Sequence, residues 1–264
     1  MDLKFKEKYG PWGVVTGASD GIGKAIAIEL ADKGLNLVLV ARRKDDLEKL
    51  ATQISDRKKV EVKVVALDLS VHGANQELYR SVEGYDVGLL AAVAGFGTSG
   101  PFVNTDLGKE LNMIDLNCRS VVEQCHLFAK KFVTKKKGGI ILLGSLVGFQ
   151  GTPNAANYAA TKAFIQTFAE GLNIELKAFG VDVISSAPGP VASGFATRAN
   201  MTMGGAATPE QVARPTVNAL GKAMTIRPGF LAKFLGWSLM LLNRWSRIKD
   251  MESIMGEMTK HQQR

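Results

Sequence analysis

The sequence predicts an α/β fold: a doubly wound parallel sheet in a single domain, with a helical C-terminal extension. Two observations carry this. Short β-branched runs alternate with longer stretches of helical period from residue 10 to residue 187. Several of these runs are also apolar on both faces, as strands covered by helices on either side must be. Such alternation implies right-handed crossovers.

The elements follow in order. Trp12–Thr16 reads as the first strand and Gly21–Lys33 as the helix after it. Leu35–Val40 is a second strand, followed by a charged amphipathic helix over Lys44–Ile54. Val60–Leu67 is a third strand, with a helix around Gly73–Val82. Val87–Val93 is the fourth strand, and Asp106–Val133 reads as one long helix. Ile140–Leu143, a long helix over Asn154–Phe179, and Val181–Ser185 complete the alternation. After Pro188 the rhythm changes. Residues 189–207 are small and Gly-rich, and are assigned as a substrate loop. Thr208 and Pro209 supply an N-cap and a first-turn proline for a further helix. Residues 229–264 form an apolar-basic helical tail.

Composition removes several classes. With 264 residues, 46% of them hydrophobic, the chain has the makings of one large core and is not disordered. Two cysteines build no disulfide framework and suit a reducing compartment. The three histidines, at 72, 126 and 261, have no metal-ligand spacing, so no metal is expected. The N-terminal residues lack a signal-peptide pattern and no apolar run reaches spanning length, so a cytoplasmic protein is expected. The formal net charge of +8 is spread along the chain without a basic, aromatic-interleaved segment. Nucleic acid is therefore not an expected partner, whereas anionic lipid or a phosphorylated cofactor remains compatible.

The first β-α turn carries Thr16-Gly17-Ala18-Ser19-Asp20-Gly21-Ile22-Gly23. Gly17 allows a tight exit from the strand, Gly21 leaves room for a pyrophosphate, and Gly23 lets the helix pack close to the sheet. The helix N-terminus offers free N–H groups to an anion. In this context the loop, with Ser19, Asp20 and Ile22 between the glycines, predicts a dinucleotide site. At the end of the second strand, where an acid would bind the adenosine ribose hydroxyls, stands Ala41, followed by Arg42 and Arg43. Their guanidinium forks suit a 2′-phosphate, so NADP(H) is expected over NAD(H); a solvated arginine pair is the other reading. Asp68, next to Leu69 at the end of the third strand, could meet the adenine amino group or cap the following turn.

Tyr158 and Lys162 stand four residues apart at the start of a long helix and share one face. An ammonium beside a phenol favours phenolate, so Tyr158 is expected as a general acid with a lowered pKa. Ser145 lies at the C-terminal end of the fifth strand, the edge where open α/β sheets bind ligands, and could polarise the same carbonyl oxygen.

Taken together, TGASDGIG, Asp68, Ser145, Tyr158-Ala-Ala-Thr-Lys162 and Pro188-Gly189-Pro-Val-Ala-Ser193, in this order and spacing over residues 10–220, resemble the short-chain dehydrogenase/reductase family. The resemblance implies a Rossmann fold, hydride exchange between NADP(H) and a ketone or alcohol, and a homo-oligomer. It implies that Ser145 positions the carbonyl, that Tyr158 is the acid/base, and that Lys162 binds the nicotinamide ribose. Asn117 would support a proton-relay water. Arg42 would select NADP. Ala94 and Gly95 would border the cofactor, and Pro188, Gly189, Val191 and Ser193 would hold its nicotinamide end. Two departures stand out. Where the family commonly has Asn-Asn-Ala-Gly, this chain reads Ala92-Val93-Ala94-Gly95. Where many members end in a short strand, this chain is expected to end in its helical tail. That layout resembles the branch of steroid 17β-dehydrogenases and 3-oxoacyl-thioester reductases, which implies a bulky apolar ketone. A cofactor-binding regulator without turnover is the alternative, disfavoured because Ser145, Tyr158 and Lys162 are all present.

Three further readings concern residues outside these motifs. Cys118 and Cys125, seven apart, are expected as buried helix thiols. Phe195, Met201 and Met203 could line a substrate pocket or simply pack the loop. The tail over Gly229–Ile248 exposes too much apolar surface for a solvated end. Lid, subunit contact and membrane-surface element are all open, with protein packing preferred because its apolar residues are not evidently confined to one stripe.

Overall fold

The computed structural model describes residues 2–202 and 204–262. Seven parallel strands form one sheet in the order β3-β2-β1-β4-β5-β6-β7. The strands are β1 (Trp12–Thr16), β2 (Asn36–Ala41), β3 (Val62–Ala66), β4 (Val87–Ala92), β5 (Gly138–Leu143), β6 (Val181–Ser186) and β7 (Thr225–Ile226). The order turns back between β1 and β4, the switch point beside which ligands bind at the strands' C-terminal ends. The helices are α1 (Leu3–Tyr9), α2 (Gly21–Asp32), α3 (Lys44–Lys58), α4 (Ala74–Ser81), α5 (Leu107–Ile114), α6 (Ser120–Lys135), α7 (Ala156–Lys177), α8 (Phe195–Arg198), α9 (Pro209–Ala219), α10 (Phe230–Leu241) and α11 (Arg244–Met258).

The core is split by the sheet, as burial on both faces of a parallel sheet demands. One half packs α2, α3 and α9 against Val15, Leu37, Leu39, Leu89 and Ile141. The other packs α4, α6 and α7 against Val14, Val38, Leu90, Ile140 and Leu142. Alternate residues of each strand thus serve opposite layers. The expected start of α9 is present: Thr208 caps the Gln211 N–H, Gln211 returns a bond to the Thr208 N–H, and Pro209 opens the helix.

The structure departs from the sequence expectations at three elements. Helix α1, not expected, is capped by Asp2 and buries Tyr9 against Gly88 of β4 and Gly139 of β5. The long helix over 106–133 is interrupted by a π-helical turn at Asp115–Arg119 between α5 and α6. The chain also keeps a short seventh strand: Ser185 and Ser186 of β6 pair with Thr225 and Ile226 of β7 before the helical tail begins. The tail is therefore added after the terminal strand and does not replace it.

Candidate active site

A cavity of about 370 Å³ opens at the C-terminal ends of the central strands. Gly17, Ser19, Asp20, Gly21, Ile22 and Gly23 form one wall; Arg42, Arg43, Asp68 and Leu69 stand at one end; Ala94 and Gly95 lie along the floor. Ser145, Tyr158 and Lys162 come together in its middle, beside Pro188, Gly189, Val191 and Ser193. Asn117, the remaining predicted residue, is not a lining residue but sits directly behind Gly95.

The glycine loop is built by close approach. A Cβ on Gly23 would come within 2.2 Å of the Gly17 carbonyl oxygen, so α2 could not start so near β1 with any side chain there. Gly21 has φ +53°, and a Cβ on it would lie 2.9 Å from Ser193 Cβ. Its missing side chain thus admits the Pro188–Ser193 segment as well as any bound pyrophosphate. Asp20 caps α2 by accepting from the Gly21 N–H at 2.7 Å. Its second carboxylate oxygen accepts from the Gly194 N–H at 3.2 Å and from Arg198 at 3.3 Å. Asp20 thereby fastens the loop carrying α8 to the glycine turn, a link that sequence spacing does not reveal.

At the other end, Arg42 is two-thirds exposed, with one guanidinium nitrogen 3.6 Å from Asp68. Arg43 pairs with Asp46 at 2.9 Å and donates to Ser19 Oγ at 3.3 Å. Asp68 also accepts from the Ser70 N–H and hydroxyl, so it caps that turn; these bonds and Arg42 hold its carboxyl below the usual range despite partial burial. The two arginines present cations at the cavity end with no acid at position 41.

The Ala92–Gly95 segment, without the Asn-Asn pair, is fastened through Thr16 and Asn117. Thr16, wholly buried, accepts from the Val93 N–H at 3.0 Å and the Ala94 N–H at 3.1 Å. These bonds tie the end of β1 to the segment leaving β4. Asn117 then pins Phe96, two residues on, from both sides: its Oδ1 accepts from the Phe96 N–H at 3.1 Å, and its Nδ2 donates to the Phe96 carbonyl at 2.9 Å. Nδ2 also meets Thr161 Oγ1 of α7 at 3.1 Å. The π turn turns Asn117 inward to make these contacts, and π turns recur at functional sites for such reasons.

Lys162 is buried and donates to the Leu143 carbonyl at 2.8 Å. Its ammonium lies 5.8 Å from the Tyr158 ring centroid. Burial pushes the lysine down to about 8, because the cation has lost solvent without gaining a carboxylate. The expected lowering of the Tyr158 pKa is not seen: burial pushes the phenol above its usual range, outweighing the hydrogen bond with Ser145 that pulls it down. With Lys162 bonded to Leu143, the phenol keeps its proton.

The far end of the cavity is apolar, formed by Phe195, Met201, Leu235, Met251, Ile254, Met255 and Met258. Phe195 packs on Tyr158 with ring centroids 5.4 Å apart. Met251, Ile254, Met255 and Met258 recur at helical spacing on α11, a signal present in the sequence beyond the tail segment ending at Ile248. Phe195 and Met201 take the expected pocket positions; Met203 lies outside the described residues. The thiols differ: Cys125 is buried and pushed up to about 12, while half-buried Cys118 is raised less strongly by its surroundings. Among the described residues, no cluster of three His, Cys, Asp or Glu could hold a metal.

The short chain dehydrogenase family model matches residues 12–204, which include the glycine loop and the Ser145–Tyr158–Lys162 centre. This chain belongs to the short-chain dehydrogenase family. Among its relatives, the 7beta-hydroxysteroid dehydrogenase of Clostridium sardiniense is 33% identical over 98% of this chain and 99% of its own length. A very-long-chain 3-oxoacyl-CoA reductase of Anas platyrhynchos is 33% identical over 88% of this chain and 76% of its own. A short-chain dehydrogenase from Sphingobium yanoikuyae, solved in complex with NADPH, superposes with TM-score 0.79 at 27% identity, over 87% of this chain and 92% of that one. The first match is notable for its reach, because it runs through the tail that the family model leaves out.

Proposed function

We propose that this short-chain dehydrogenase is an NADPH-dependent reductase of bulky apolar ketones, running reversibly as a secondary-alcohol dehydrogenase. One observation carries the reading: a single cavity joins the glycine loop and the arginine end to Ser145, Tyr158 and Lys162, and continues into a roof of methionine and phenylalanine. The walls fit a phosphorylated dinucleotide. The turn is closed to side chains at Gly17 and Gly23, α2 offers its N-terminus, and Arg42 and Arg43 offer cations where a 2′-phosphate would lie. The NADPH complex of the Sphingobium yanoikuyae relative supports the same cofactor here.

A nicotinamide held in this cavity by the glycine loop and Lys162 would supply hydride chemistry at the carbonyl carbon. The chain's own residues manage the oxygen. Ser145 donates a hydrogen bond to it. Tyr158, kept protonated by burial, transfers its phenolic proton as negative charge develops. Lys162 holds the ribose side and stabilises the phenolate left behind, while Asn117 fixes the backbone beneath. Phe195 and the α11 methionines exclude water and take up the apolar body of the substrate.

Loss of NADPH absorbance over ketosteroids, 3-oxoacyl thioesters and small aromatic ketones tests this. Turnover is expected with the large apolar members and with NADPH at least about tenfold over NADH, the size of one charge-assisted contact. No turnover of any ketone by protein that binds NADPH would overturn the reading; parity with NADH would overturn its coenzyme half. We further read the enzyme as a cytoplasmic homo-oligomer. Exposed Leu107, Leu111 and Ile114 on α5, with Phe164 and Ile174 on α7, give apolar surface for a second copy.

A further inference from the structure

We infer that the outer face of α10 docks on the surface of an anionic lipid bilayer. Phe230, Phe234, Trp237 and Leu241 are 86%, 51%, 62% and 69% exposed. Their spacing of four, three and four residues puts them along one stripe of the helix. Trp245, four residues further on, is 69% exposed. The opposite face is seated. Ala232 is buried, Leu235 reaches the substrate cavity, and Gly236 lies against the Arg227 side chain, where a Cβ would come within 2.5 Å. The helix is therefore apolar on both faces, which is why the sequence shows no single stripe: one face is spent on the protein and the other is left outside.

Charge decides what covers the outer face. Between Gln211 and Lys249 the chain carries seven lysines and arginines and no aspartate or glutamate; Arg214 pairs with Glu29 and Lys249 with Glu252, while Lys233 and Arg244 flank the stripe itself. Both of these last are exposed. A second copy packed here about a two-fold axis would bring this cationic segment against itself, with no carboxylate from the segment to receive it. An anionic bilayer satisfies both halves of the surface: rings enter the headgroup boundary while lysine and arginine reach the phosphates. Twelve residues of α10 rise only about 18 Å, short of the ~30 Å hydrocarbon core, so the helix lies on the membrane. Because Leu235 of the same helix lines the cavity, docking sets the mouth of the apolar pocket at the lipid, a consequence that rests on the bulky-ketone reading.

The test is co-sedimentation of the full-length protein with phosphatidylcholine vesicles, with and without about 30 mol% phosphatidylglycerol, alongside two double variants. One is Phe230→Ser with Trp237→Ser, the other Lys233→Glu with Arg244→Glu. The intact protein is expected to pellet with the anionic vesicles at least about tenfold more than with neutral ones. Both variants are expected to lose that binding while keeping the elution volume and the small-ketone turnover of the intact protein. Failure of the intact protein to pellet, or undiminished pelleting of either variant, would overturn the inference. A smaller elution size for the serine variant would reassign the face to a contact between copies. Ketone turnover in vesicle-free buffer tests the reductase reading separately.

Discussion

At the residue scale the site is governed by two groups that burial pushes in opposite directions. Tyr158 keeps its proton and Lys162 tends to lose one. Tyr158→Phe is therefore expected to lower kcat by about 10²–10⁴-fold, as loss of a general acid does, while the NADPH dissociation constant stays within about twofold. Retained turnover would remove Tyr158 from its role. Lys162 makes a prediction of unusual sign. Its folded pKa lies near 8, below the 10.5 of the unfolded chain. Between those values the unfolded state binds the extra proton, so this group's contribution to stability increases as pH rises. In melting-temperature scans of the cofactor-free protein against Lys162→Met, the difference should shift toward the unmutated protein from pH 8 upward. A difference independent of pH would show that the cation is solvated after all. The pairing of Tyr158 with Lys162 was legible from their spacing, but the state of the pair was not. That state depends on the Leu143 carbonyl, nineteen residues away, taking the ammonium.

At the element scale, the least legible piece bears considerable load. Tyr9 of α1 is 4% exposed, and its hydroxyl donates to Asp182 of β6 at 2.5 Å. Its ring fills space left by Gly139 and Gly221, where a Cβ would come within 2.9 Å and 2.6 Å of Tyr9 atoms. Lys8 pairs with the same carboxylate. Tyr9→Ala is expected to cost about 3–5 kcal/mol from ring removal, and Tyr9→Phe about 1.5–3 kcal/mol from the charged hydrogen bond alone. Urea unfolding of the two variants checks both figures, and equal losses would show that the ring contributes nothing. Helix α1 escaped sequence reading because seven residues give too short a period to separate from a charged leader. Strand β7 escaped because a two-residue strand has no alternation at all. The π turn escaped because a one-residue change of pitch leaves the apolar pattern of residues 106–133 almost unchanged. The central strands were plain in the sequence for the opposite reason: β4 and β5, buried along nearly their whole length, carry no polar side chain, and β1 and β2 carry one each, Thr16 and Asn36, only at an end.

At the scale of the whole molecule, the C-terminal helices complete the pocket. Met251 and Met255 of α11 are buried with Ala155, Ala199 and Met201, against Tyr158 and Phe195. The far end of α11 is stitched down as well: the Thr202 N–H donates to the Met258 carbonyl at 2.9 Å, and Gln262 donates to Ser99 at 2.8 Å. A chain ending at Asn243 should therefore melt lower. It should lose at least about tenfold more kcat/KM on large ketones than on small ones, since burying even two methylenes of substrate is worth that much. Equal losses across the panel would assign α11 to stability alone. The glycine loop and the Ser145–Tyr158–Lys162 centre were readable because their chemistry sits in short local motifs. Of the roof, Phe195 and Met201 were readable as candidates, but the α11 half was not, because residues 251–258 reach them through folding alone.

Asp20 ties two events in time. Its carboxylate caps α2, whose N-terminus would face a bound pyrophosphate, and also anchors Gly194 and Arg198, so ordering one loop orders the other. Whichever ligand settles first lowers the entropy left for its partner to remove, and that coupling is reciprocal. If that link sets the order of binding, turnover should follow a compulsory sequence, coenzyme on first and off last. In initial-rate experiments this appears as competitive inhibition by NADP⁺ against NADPH and mixed inhibition by the alcohol against either substrate. In Asp20→Ala the two loops part company, and addition becomes random.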